Sequence, residues 1–197
     1  MVWLGFFDIG FTLGLKNKLT EAIALKDWGK GKSLVSTTYA MMLFIFIPIC
    51  FLFELLIPFV KWAEFLNVNV QYNDEITRVL YILVAFFCMQ MIVIVLTSVI
   101  AAFLKVALSS VFTVIGNVLS LFAIWFLTKF CLPSLVALAF AISAMPIIVI
   151  VIASVILYCG KFKMVSPSYK YIDKKYVKSI FSLGARFFII QIQCVVL

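Results

Sequence analysis

Between Val79 and Gly160 only Lys105 and Lys129 carry a charge. A helix needs about 20 apolar residues to cross a hydrocarbon core of about 30 Å. The two lysines divide this region into three stretches, 79–104, 106–128 and 130–160, each long enough to cross. A fourth, 34–60, carries Glu54 alone. The chain is 66% hydrophobic and 12% charged, whereas soluble domains are about 45–50% apolar. A soluble core of this size cannot hide the excess, so lipid is the expected solvent.

Backbone inside lipid must satisfy its own hydrogen bonds, and helices do so within one segment. The continuous runs lack the alternation of a membrane β-strand. The expected fold is an all-α integral membrane protein, a polytopic helical bundle forming one transmembrane domain. Its spans are about 1–15 (partial), 34–60, 79–104, 106–128, 132–159 and 180–197 (partial).

The linkers alternate in charge. Residues 16–33 carry five lysines, Lys105 marks the next turn on that side, and 161–179 carry six. The opposite side holds Lys61, Arg78 and Lys129. By the positive-inside rule, 16–33 and 161–179 are cytoplasmic loops that also meet anionic lipid. The net charge of +8 therefore reflects orientation, and nucleic acid is not an expected partner. Leu15, Leu19, Ala22 and Ile23 recur at helical spacing among these lysines. They predict a short amphipathic helix on the inner membrane surface, with Trp28 at headgroup level.

The five cysteines are isolated, no Cys-x-x-Cys occurs, and histidine is absent. No metal, no cofactor and no Cys–His or Ser–His catalysis are expected, and the spans hold no paired carboxylates; the chain is not read as an enzyme. No signal peptide is expected at the N-terminus. "GKGKS" at 29–33 lacks the first glycine of a phosphate loop, whose place is taken by Lys26. A flexible loop with Ser33 capping the next span is expected there instead. The last four residues, Cys194 to Leu197, match a prenylation box. They follow "FFIIQIQ" inside an incipient span, beyond easy reach of a cytosolic transferase.

Polar side chains recur at depth. Asp8 lies eight residues from Lys16, about 12 Å along a helix. Gln90 and Asn117 each lie about 18 Å from a flanking cation, and Gln191 about 20 Å. A carboxylate at such depth must face a cavity or a partner. Gly10 and Gly14 beside it allow another backbone to approach closely. Pro48 and Pro146 are expected to interrupt two spans near mid-depth. Interrupted helices with midplane polar groups mark the binding region of transporters, whereas interhelical polar glue would use the same residues without transport. Glu54 falls near the outer interface and is given no functional role.

"FFDIGFTLGLKNKLTEAIA" and the following "KSLVSTTYAMM" resemble the second span, cytoplasmic loop and third span of bacterial polysaccharide flippases of the Wzx type. These belong to the multidrug/oligosaccharidyl-lipid/polysaccharide exporter superfamily. "VIGNVLSLFAIWFLTK" and "PSYKYIDKKYVKSIFSLGARFFIIQI" look like the fifth span and the loop entering the seventh. The chain departs from the pattern at Thr12 and Leu13, where the family usually has Gly-Asn. It departs again at Leu104 and Val106, which replace a polar residue and a proline around Lys105.

The resemblance implies most of one lobe of a MATE-like transporter, truncated at both ends. It implies flipping of an undecaprenyl-pyrophosphate-linked oligosaccharide across a bacterial inner membrane, for O-antigen and lipopolysaccharide biosynthesis. Lys16, Lys18 and Arg186 are the candidate cations for the pyrophosphate. Asp8, Gln90, Asn117 and Gln191 are candidates for substrate or for a coupling cation or proton. A non-transporting membrane scaffold, or an inactive transporter fragment, is the alternative.

Overall fold

A computed structural model describes residues 10–130 and 134–196, without the side chains of 187, 188, 190–192 and 194–196. Every regular element among the described residues is helical. The principal helices are α1 (Phe11–Ala24), α2 (Trp28–Leu56), α3 (Asn73–Val93), α4 (Val95–Ala102), α5 (Val106–Phe130), α6 (Leu135–Cys159) and α7 (Lys174–Val196). A one-turn helix, Trp62–Phe65, and short 3-10 turns join them. Trp28–Phe59, Val70–Ala102, Val106–Phe130 and Leu135–Cys159 are long and apolar enough to cross a membrane. Their surfaces expose large apolar side chains, Phe44 at 82% and Phe122 at 63% among them. Water would not tolerate such a surface; hydrocarbon would.

The chain divides into two compact units. The first comprises Met1–Leu43, Ile94–Ser109 and Ala153–Leu197; the second comprises Phe44–Val93 and Ser110–Ile152. Helices α2, α5 and α6 each contribute a part to both. The first unit holds thirteen of the sixteen basic residues against four acidic ones, and the second holds three against four. The linker bias read from the sequence therefore reappears as a bias between packed units.

In the first unit, α1 packs on α4 and α7. Gly14 sits where an added Cβ would lie 2.8 Å from the Ile180 carbonyl oxygen and 3.3 Å from the Gly184 nitrogen. Gly10 faces the Gly184 backbone in the same way, at φ +71. The close approach expected at Gly10 and Gly14 is thus made, and its partner is a third glycine.

Several expectations need correction. The stretch 16–33 is not a loop: α1 runs to Ala24, and α2 starts at Trp28. The amphipathic helix exists, but Leu15 and Leu19 are fully buried. They belong to the protein core and do not lie on a membrane surface. Ser33 is not the cap of α2. Asp27 is, since the Lys30 N–H donates to its Oδ1 at 2.9 Å, the usual N-cap geometry. "GKGKS" is consequently the first turn of a helix. Pro48 and Pro146 interrupt nothing, because α2 and α6 run continuously through them. Where lipid offers no substitute partners, opening a helix loses more than the one hydrogen bond a proline removes. In the second unit Pro146 instead meets Gly116, whose Cβ would lie 2.9 Å from the Pro146 Cα.

Two helix ends set the turns of the first unit. Beyond α1, the Lys26 N–H donates to the Ile23 carbonyl at 3.0 Å and the Asp27 N–H to that of Ala22 at 2.9 Å. Beyond α4, the Leu104 N–H donates to the Ala101 carbonyl at 3.0 Å and the Lys105 N–H to that of Ile100 at 3.2 Å. Both are Schellman closures, which need a left-handed residue and usually take glycine. Here Lys26 and Leu104 fill that position, at φ 56 and φ 58.

Candidate functional site

Consecutive hydroxyl residues on α2 organise the first unit. Ser36, Thr37 and Thr38 are all buried. Thr38 turns its hydroxyl back to the Leu34 carbonyl at 2.9 Å. Ser36 and Thr37 also reach outward to the segment before α7. The Ser168 N–H donates to Ser36 Oγ at 2.9 Å, and the Asp173 N–H donates to Thr37 Oγ1 at 3.1 Å. Lys32 stacks over the Tyr171 ring at 4.6 Å. The lysine-rich segment 161–173 is therefore held against α2 by part-buried donor–acceptor pairs. One helical turn or more along, Tyr39 and Tyr158 place their hydroxyls 3.2 Å apart, with their rings edge to face.

The basic candidates lie beside this clamp. Lys18 Nζ and Lys30 Nζ both contact Glu21, at 3.1 and 3.0 Å. The carboxyl of Glu21 is held below its ordinary value of 4.5, by Lys30 first and then by Lys18. Two ammonium groups share one carboxylate, so the cluster keeps a net positive charge. Lys16 is half-buried on α1, and Arg186 is exposed on α7. Lys16, Lys18 and Arg186 share one unit; Gln90, half-buried on α3, and Asn117, exposed on α5, belong to the other. Asp8 lies outside the described residues. Gln191 lies on α7, with its side chain outside the description.

The second unit contains a groove of about 330 Å³ between α2 and α3. Phe46, Ile47 and Phe51 line it from α2, and Ala85, Met89 and Ile92 from α3. Its polar members are Cys50, Cys88 and Glu54, and the Cys50 thiol donates to Glu54 Oε1 at 3.6 Å. None of Lys16, Lys18, Gln90, Asn117 or Arg186 lines it. No protein-family model matches the chain, and no curated protein or solved structure matches it. No group of three metal-ligating side chains occurs among the described residues.

The sequence did not flag three parts of this geometry. Cys50 and Glu54 are four residues apart, which places them on one helix face. That signal was present, but nothing in it shows that Cys88 comes from α3 to meet them. The Ser36 and Thr37 contacts to 168–173 and the Tyr39–Tyr158 pair join positions more than a hundred residues apart. Spacing along one helix cannot reveal such pairs.

Proposed function

We propose that the chain is part of a membrane flippase for lipid-linked oligosaccharide, of the polysaccharide-exporter kind that its sequence resembles. One observation carries the proposal. The segments bearing the resemblance around Gly14, Thr37 and Asp173 are far apart in sequence, yet they pack in one unit. There the Gly10–Gly14–Gly184 crossing and the Ser36 and Thr37 hydrogen bonds join them. Residues within the stretches that carry the resemblance are thus among those that hold one another.

On this reading the fold is most of one MATE-like lobe in a bacterial inner membrane. The lysine-rich unit faces the cytoplasm, where twelve of the basic residues follow the positive-inside rule. The substrate is an undecaprenyl-pyrophosphate-linked glycan. Lys16 and Lys18 attract the pyrophosphate as ammonium point charges, and Arg186 as a planar guanidinium fork. Glu21 already occupies part of Lys18, so an arriving phosphate exchanges one anion for another. Asp8, with Gln90, Asn117 and Gln191, supplies polar groups for the glycan or for a coupling proton or cation. The chain does no covalent chemistry.

The test is complementation. In cells lacking their own flippase, the open reading frame containing this chain should restore surface polysaccharide, and Asp8→Asn should abolish it while leaving membrane insertion intact. Full export by the Asp8→Asn variant would remove Asp8 from the mechanism. No export by any version, despite normal insertion, would favour a scaffold.

A further inference from the structure

We propose that the groove between α2 and α3 is a binding site for a phospholipid with a primary ammonium headgroup, the ammonium seated on Glu54. Three observations point to this ligand, and none depends on transport.

First, the groove lies along helices long and apolar enough to cross a membrane, so lipid is the medium beside it. At about 330 Å³ it falls at the lower end of ligand-pocket volumes, about 300–1,000 Å³. That is room for part of one chain, not for a whole lipid. Second, the lining is ordered by polarity along the helix. Glu54 lies two residues before the end of α2, whereas Phe46 lies eight residues deeper, about 12 Å along the axis. A phospholipid seated headgroup-up has the same order: charge at the helix end, hydrocarbon beneath. Third, Glu54 is the one charged member of the lining, and it is half-buried. The Cys50 thiol donating to it at 3.6 Å is a weak donor. A carboxylate so placed still has lone pairs for a strong donor.

Charge complementarity therefore selects a cation, and the apolar channel below selects a chain. A primary ammonium is favoured over a quaternary one because it brings N–H donors, which make short charge-assisted hydrogen bonds to a carboxylate. A trimethylated headgroup offers charge alone. An anionic headgroup is disfavoured by the carboxylate.

The test measures lipid retention by native mass spectrometry on the chain purified in detergent. It is supplied in turn with phosphatidylethanolamine, phosphatidylcholine and phosphatidylglycerol of identical acyl chains. The wild type should retain phosphatidylethanolamine about five- to ten-fold over phosphatidylcholine, between the values for an exposed ion pair and for a hydrogen bond to a charged group. Glu54→Gln should collapse that preference towards unity. Met89→Trp fills the groove and leaves Glu54 in place. It should reduce retention of phosphatidylethanolamine itself, with the helical circular-dichroism signal as the check on folding. Equal retention of all three lipids by the wild type would overturn the proposal in favour of a site for chains alone. An unchanged preference in Glu54→Gln would overturn the role of Glu54. Neither outcome bears on flipping, so this site and the transport function fail independently.

Discussion

Leu104 holds φ 58 with 83% of its surface exposed, an arrangement that gains little from burial. A left-handed non-glycine residue costs roughly 1–2 kcal/mol, partly offset by the greater unfolded-state entropy of glycine. Leu104→Gly should therefore raise stability by about 0.5–1 kcal/mol, read as a higher midpoint in thermal unfolding in detergent; a lower midpoint would contradict the strain. The opposite is expected of Gly14→Ala. Its Cβ would meet the Ile180 carbonyl at 2.8 Å, and backbone cannot yield as a side-chain tip can. A loss of about 1–3 kcal/mol should follow, and a neutral result would mean that α1 and α7 can slide apart freely. Residue types told half of each story in advance. Gly10 and Gly14 announced a close approach, but nothing in their spacing pointed to Gly184. The stops after α1 and α4 were hidden because lysine and leucine stand where glycine usually signals a helix end.

Elements in the first unit are tied by polar contacts as well as by packing. The lowered Glu21 pKa gives the Lys18–Glu21–Lys30 cluster a defined pH dependence. A depressed carboxylate contributes stability above its ordinary value of 4.5 and loses that contribution as pH falls through the lowered one. The difference in thermal midpoint between the wild type and Glu21→Gln should thus be present at neutral pH and vanish in strong acid. A pH-independent difference would assign Glu21 another role. Thr37→Val keeps the shape of the side chain and removes the acceptor of the Asp173 N–H. The loss, about 1 kcal/mol, should speed tryptic cleavage in 161–173 several-fold; unchanged cleavage would show that the segment is held by other contacts. Long apolar runs made the principal helices legible, because periodicity and length are local properties. Proline was misleading for the same reason: Pro146 read alone suggests a break, while its fit against Gly116 depends on another helix. The groove at Glu54 was illegible because it needs α2 and α3 side by side.

At the scale of the whole molecule, thirteen basic residues fall in one unit and three in the other. If that unit is cytoplasmic, a single cysteine introduced at position 170 in a cysteine-free background should resist an impermeant maleimide applied outside cells. One at position 70 should react; the reverse pattern would invert the topology. The central claim, movement of a lipid-linked glycan between leaflets, has a direct measurement. The protein containing this chain is reconstituted in vesicles with a fluorescent polyprenyl-pyrophosphate glycan, and an impermeant reductant bleaches the outer leaflet. Bleaching beyond the outer-leaflet fraction is expected with the wild type, and bleaching limited to that fraction with Asp8→Asn. Bleaching that stops at the outer-leaflet fraction with the wild type, in vesicles shown to hold correctly inserted protein, would contradict the claim.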